Sequence, residues 1–162
     1  MLWRPMSASD LPGVAAIAAE IHTAHPEDDA ILVERLRLYA AGCHVLDTRG
    51  ALAGYAISHP WRRGSPPALN TRLKRIPANA DTYYLHDVAI VEAGRRAGAA
   101  SEIVAILVAH ARAAGFATMT LICVDDAGAF WSRLGFRAAG EQALRPKLRT
   151  YGNDARLMVR VL

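Results

Sequence analysis

The sequence predicts a mixed α/β domain, a sheet covered by helices on both sides, and three observations lead to it. Helical and strand periodicities alternate along the 162 residues with no internal repeat, low-complexity tract or linker. The segment Thr118–Val124 is apolar nearly throughout, as a central strand covered on both faces must be. The 52% apolar content suits one domain, residues 1–162, large enough to bury about 70% of its unfolded surface without metal or disulfide support.

The elements follow in order. Leu2 to Met6 reads as a short first strand. Ser7 and Asp10 both offer N-caps to an amphipathic helix through Val14, Ile17, Ala18 and Ile21. Pro26-Glu27-Asp28 breaks it, and a second helix starts at Asp28 or Asp29 and carries Ile31, Leu32, Leu36 and Tyr39 up to Gly42. Cys43–Asp47 and Ala51–Ser58 form a hairpin around Thr48-Arg49-Gly50. Residues 60–80 hold four of the eight prolines and read as a long surface loop, a length often associated with function. Tyr83–Val91 is a strand, and Ala99–Ala114 a helix stopped by Gly115. Thr118–Val124 is the next strand, Ala127–Leu134 a short helix, and Phe136–Gly140 and Leu157–Leu162 the closing strands.

Composition narrows the function classes. No apolar core follows the first residues, Met1-Leu2-Trp3-Arg4-Pro5, so no secretory signal is expected. The longest apolar run, Ile103–Ala109, is too short to span a bilayer. Cys43 and Cys123 read as buried thiols, no metal spacing exists, and the setting reads as cytoplasmic. Net charge is +4, with Arg62, Arg63, Arg72, Lys74 and Arg75 concentrating much of the excess. That segment suits a solvated face, a small anion or nucleic acid; no aromatic stacking pattern accompanies it, which disfavours nucleic acid.

The stretch Arg95-Arg96-Ala97-Gly98-Ala99-Ala100-Ser101 is the most informative. It joins a strand to the start of the longest apolar helix, where backbone N–H groups lack partners and the helix dipole is positive, a setting for phosphate or pyrophosphate. Gly98 admits a close backbone approach, and the alanines add little bulk.

The strand His86-Asp87-Val88-Ala89-Ile90, the turn Arg95-x-x-Gly98-x-Ala100 and the later Phe130-Trp131-Ser132-Arg133-Leu134-Gly135-Phe136 occur in that order. Together they resemble motifs A and B of the GNAT N-acetyltransferases, and the element order matches over nearly the whole chain. Tyr-Tyr-Leu-His-Asp combined with Phe-Trp-x-x-x-Gly-Phe is similar to a bacterial subgroup of that family. The resemblance implies a mainly antiparallel twisted sheet of about six or seven strands with a splayed central pair, Tyr83–Val91 and Thr118–Val124. It implies acetyl-CoA as acyl donor and CoA as product, with the pyrophosphate wrapped by Arg95, Arg96, Ala97, Gly98, Ala99, Ala100 and Ser101. Backbone at Val88, Ala89 and Ile90 would hold the pantetheine arm as an added strand, the Ile90 amide stabilising the oxyanion. Homodimers are common in the family.

The acceptor must lose a proton near neutral pH, which suits histidine. In one branch of the family a His-x-His pair occupies the positions of Tyr84 and His86, so His86 is the candidate base, directly or through water, with Tyr84 lining the same cleft. Strand alternation places Asp87 on the opposite face, anchoring a loop or helix end. Where the family often has a tyrosine acid, this chain has Trp131, which packs the thioester end, steadies the thiolate through its N–H, or leaves the acid role to Tyr84, Ser132 or another group. Asp125 and Asp126 replace a longer loop and offer a helix cap or a contact to a cationic amine. The acceptor pocket is expected between the first two helices and the 60–80 loop, with His22, His25, Glu27, Tyr39, His59 and Trp61 available. The expected function is acetyl transfer to a primary amine, preferably of a small molecule, with no covalent enzyme intermediate. The alternatives are a non-catalytic acyl-CoA sensor, or an acyltransferase acting on RNA or a charged tRNA.

Overall fold

The computed structural model describes residues 1–95, 98–140 and 144–162. Seven strands form one sheet in the order β1-β2-β3-β4-β5-β7-β6. They are β1 (Leu2–Pro5), β2 (Cys43–Asp47), β3 (Leu52–Trp61), β4 (Thr82–Ile90), β5 (Thr118–Cys123), β6 (Arg137–Ala138) and β7 (Arg156–Val161). All neighbours are antiparallel except β4 and β5. Helices α1 (Leu11–Ile21) and α2 (Asp29–Leu38) lie on one face, and α3 (Ala99–Ala113) on the other. The short helices α4 (Gly128–Arg133) and α5 (Arg145–Leu148) complete the fold. The mixed, mainly antiparallel sheet agrees with the expected class.

Two apolar layers sandwich the sheet. On one side Val14, Ile17 and Leu32 pack on Val45, Tyr55, Ile57 and Ala89. On the other Ile103, Val104, Leu107 and Ala111 of α3 pack on Leu46, Ala56, Tyr83, Leu85 and Met119. Full burial of each such aliphatic side chain contributes about 1.5–3 kcal/mol, so the layers fix which face every strand presents. The indole of Trp3 donates to the Ala99 carbonyl at 2.9 Å, joining β1 to the first turn of α3.

The elements differ from the sequence expectation mainly at their ends. β3 runs three residues past Ser58, because Pro60 sits at a position paired with Tyr83 and remains compatible with the sheet. The second helix stops at Leu38, and a 3-10 turn over Ala40–Gly42 follows. The Phe136–Gly140 strand shrinks to two residues, and the turns at 144–151 were absent from the sequence reading. Asp10 does not begin α1 as a simple cap. Its carboxylate takes the Ser7 amide at 2.7 Å and both terminal nitrogens of Arg4 at 2.8 and 2.9 Å, bracing the turn between β1 and α1.

The long loop 62–81 is ordered by buried polar groups of α2. The Glu34 carboxylate accepts the amides of Leu73 at 2.7 Å and Lys74 at 3.2 Å, and Arg35 donates to the Thr71 carbonyl. Arg62, Arg72, Lys74 and Arg75 are exposed. Both thiols are buried, as expected, and burial pushes the Cys43 thiol up to about 12. No helix among the described residues is long and apolar enough to cross a membrane.

Gly42 marks the tightest backbone approach. A β-carbon there would overlap the Ser58 carbonyl oxygen and sit 2.8 Å from the Tyr83 hydroxyl, both on strands that cannot retreat. Gly42→Ala is therefore expected to destabilise the fold by about 3 kcal/mol or more, read as a fall in the urea midpoint at unchanged slope.

Candidate active site

β4 and β5 are held together at one end only. Thr82 bonds the Thr118 hydroxyl at 2.9 Å, the ladder pairs Tyr83 with Met119 and Tyr84 with Thr120, and there it ends. Beyond that point β4 continues to Ile90 with its β5-facing edge unpaired, the splay expected for the central pair. On its other edge β4 carries a bulge: Ile57 opposes Asp87 and Ser58 opposes Leu85, leaving His86 as the extra residue.

The bulge corrects the simple alternation. Tyr83 and Leu85 face α3 before it, and Val88 and Ile90 face α3 after it. His86 and Asp87 in consequence both point to the α1–α2 side. His86 Nε2 lies 2.7 Å from Glu27 Oε1, and Asp87 Oδ2 accepts from Tyr55 Oη at 2.5 Å and pairs with His22 Nε2 at 2.8 Å. Asp87 does anchor a helix end, since His22 is the C-cap of α1, but it does so on the same face as His86.

Both pairs border a cavity of about 350 Å³ that reaches from α1 across the gap to β5 and α4. Leu85, His86, Asp87 and Val88 form its β4 wall, Leu121, Ile122 and Val124 its β5 wall, and Trp131 closes one side. Of the expected pocket residues, His22, His25 and Glu27 line it, as does Leu69 of the long loop; Tyr39, His59 and Trp61 do not. Tyr84 is corrected likewise. It is 1% exposed and absent from the lining, with its ring 6.1 Å from that of His86 and 5.5 Å from that of His59. Cys123 is buried outside the cavity.

The two imidazole–carboxylate pairs differ in depth. The His86 side chain is 1% exposed and Glu27 13%, whereas His22 is 35% exposed and Asp87 17%. A carboxylate only accepts, so each imidazole presents an Nε2–H to its partner and keeps Nδ1 as its variable nitrogen. His86 Nδ1 is buried without a partner, as are Tyr84 Oη, His59 Nε2 and Arg35 Nε. Burial alone would push the Glu27 carboxyl up, but the charge and hydrogen bond of His86, with the Asn70 amide at 2.9 Å, hold it down at about 2. Burial lowers His59 to about 3, so it is neutral at physiological pH. Glu27 was the residue whose importance the sequence hid, and only its place in the break between the first two helices hinted at it.

At the far end of β4, the chain turns into α3. Gly98, its N-cap, has φ +94°, and among the described residues no side chain caps the helix and nothing lies within 4 Å of where its β-carbon would stand. That open, uncapped helix start fits a phosphate-bearing cofactor. Arg95 donates its Nε to the Ile90 carbonyl at 3.0 Å, so only its terminal nitrogens remain for an anion. Arg96 and Ala97, expected in the same turn, lie outside the described residues. At the other candidate loop, Asp125 lines the cavity with φ +52° and no side chain caps α4, so the capping expectation is not met. Among the described residues no group of three or more His, Cys, Asp or Glu could hold a metal ion.

A half-unzipped parallel strand pair thus lies beside an open helix start at one end of β4. The chain belongs to the acetyltransferase (GNAT) family, whose model matches residues 11–136. Acetyl-CoA is the cosubstrate of that family. Among solved structures it is similar to a GNAT-like decarboxylase, GphF, in complex with isobutyryl-CoA, at 17% identity and TM-score 0.79, covering 99% of both chains. It is similar to N-acetylglutamate synthase from Neisseria gonorrhoeae, complexed with coenzyme A and N-acetyl-glutamate, at 20% identity and TM-score 0.72. That match covers 99% of this chain but 35% of the synthase, so the chain spans about a third of that relative's length. It is also similar to the ribosomal-protein-S18-alanine N-acetyltransferase from Escherichia coli, at 18% identity and TM-score 0.69, covering 99% and 92% of the two chains. No curated protein matches the chain.

The hydrogen bond that His22 donates to Asp87 raises the His22 pKa above 6.5, against the lowering effect of burial. A raised imidazole stabilises the fold below 6.5, and that contribution is lost as pH rises through the raised midpoint. Asp87→Asn should lower the His22 midpoint in an NMR titration of the imidazole protons, and remove this part of the pH dependence of stability.

Proposed function

We propose that the protein transfers the acetyl group of acetyl-CoA directly to a primary amine of a small molecule. The observation that carries this reading is the meeting, along β4, of an open helix start, an unpaired strand edge and a carboxylate–imidazole pair. Acetyl-CoA supplies a thioester: the ammonium first gives one proton to the protein, the neutral amine nitrogen then bonds to the acyl carbon as the carbon–sulfur bond breaks, and the second nitrogen proton goes to the departing thiolate, leaving the amide and the CoA thiol.

The residues divide that work. Backbone N–H groups from Gly98 to Ser101, with Ala99 and Ala100 between them, bind pyrophosphate oxygens, joined by Arg95, Arg96 and Ala97 of the same turn. The unpaired edge at Val88, Ala89 and Ile90 orients the pantetheine arm by backbone pairing, and the Ile90 amide polarises the carbonyl. Trp131, whose ring packs on Phe136 at 5.6 Å, closes the cavity beside the departing sulfur and excludes water.

Glu27 and His86 handle the proton together. Both line the cavity, and His86 holds the Glu27 carboxylate through Nε2–H. The nitrogen left to receive a proton is the buried Nδ1, so the proton reaches His86 through water rather than by direct contact. Tyr84 supports the His86 ring from behind and fixes its rotamer.

Calorimetry with acetyl-CoA, CoA and ATP tests the cofactor. Both CoA species should bind and ATP should not, and Gly98→Asp should weaken CoA binding at least tenfold, since φ +94° disfavours any side chain and a carboxylate repels phosphate. His86→Gln should lower kcat by about a hundredfold or more with acetyl-CoA affinity unchanged. A protein that binds CoA but releases no thiol with any amine would be a sensor instead.

A further inference from the structure

The charges around the cavity discriminate among amines. Three carboxylates line it, those of Glu27, Asp87 and Asp125. No lysine or arginine appears among the described lining residues. The other titratable groups there are the imidazoles of His22, His25 and His86 and the phenols of Tyr55 and Tyr151. His22 and His86 are each tied to a carboxylate, so even when protonated they only offset Asp87 and Glu27, and Arg156, which stands beside Cys123 and Gly128, does not line the cavity. Arg35, whose charge acts on Glu27, does not line the cavity and is bonded to Glu34 at 2.8 Å and to the Thr71 carbonyl at 3.0 Å. His25 lies at the exposed edge.

We infer that the acceptor is an amine with an apolar body and no acid group. An ammonium entering this cavity meets carboxylates, including Asp87 Oδ1, which receives no bond from a described residue. A substrate carboxylate or phosphate finds no fixed cation among the described lining residues to replace its lost hydration, and lies against like charge. The apolar body finds Ala18, Ile21, Leu32 and Leu69 on the helix and loop side. Free amino acids are thus excluded by charge, whereas their decarboxylated counterparts are accepted. This inference rests on the acetyl-transfer reading and deepens it.

Matched acceptors test it: 2-phenylethylamine, phenylalanine and phenylalaninamide, and isopentylamine, leucine and leucinamide, each with acetyl-CoA and thiol release as readout. The amines and amides should turn over, with kcat/KM for the acids lower by about a hundredfold or more. The amides keep the bulk of the acids without the charge. If the amides are as poor as the acids, the discrimination is steric and the inference is overturned. Equal turnover of acids and amines would overturn it too, while leaving acetyl transfer standing. Thiol release with none of the six would overturn both readings, and acetyl-CoA calorimetry on the same sample would show whether the cofactor site survives.

Discussion

The site depends on one irregularity, the extra residue at His86 in β4. A regular strand would send His86 and Asp87 to opposite faces and continue its pairing with β5. The bulge turns both side chains to the α1–α2 side, and bulges bend the strand that carries them. It begins two residues after the last β4–β5 pair, where the two strands part. One local departure from the ladder therefore sets both the chemistry facing the cavity and the gap that admits a cofactor. The apolar layers on either side hold it in register, because Leu85 before the bulge and Val88 after it both pack toward α3.

Glu27 is the joint between that bulge and the rest of the molecule. One carboxylate oxygen meets His86 on β4 and the other takes the Asn70 amide of the long loop, while Asn70 Oδ1 accepts the Asp28 amide at 2.8 Å. The helix connection, the loop and the sheet are thereby closed on one charged group. Holding it at about 2 instead of 4.5 gives a contribution on the order of 2 kcal/mol above pH 4.5, lost as pH falls toward 2. Since the folded pKa is depressed, the sign is that of stability gained on ionisation.

Much of this was legible in the residues, and what was missed shares a physical cause. Periodicity located the strands and helices, and the small-residue turn with Gly98 located the open helix start, because both signals are local. The bulge was not legible: a two-residue alternation in Tyr84, His86 and Val88 looks the same with or without an inserted residue, and only the partner strand reveals it. Asp87 was assigned to the wrong face for that reason; Tyr84 shares the face of His86 as the alternation has it, but lies buried behind the cavity. Glu27 and His22 were visible only as polar residues near a helix break, since their partners lie 59 and 65 positions away.

Behind the cavity the structure accepts a cost that a core built for stability would avoid. Arg35 Nε, His59 Nε2, Tyr84 Oη and His86 Nδ1 are all buried without partners, and the rings of His59, Tyr84 and His86 stand within 5.5 to 6.3 Å of one another. Each unsatisfied group costs about 1–3 kcal/mol unless water reaches it, and apolar residues of similar shape would remove that cost. The Tyr151 hydroxyl donates to the Pro67 carbonyl at 3.0 Å and holds down the long loop. Stability is recovered elsewhere, in the two aliphatic layers.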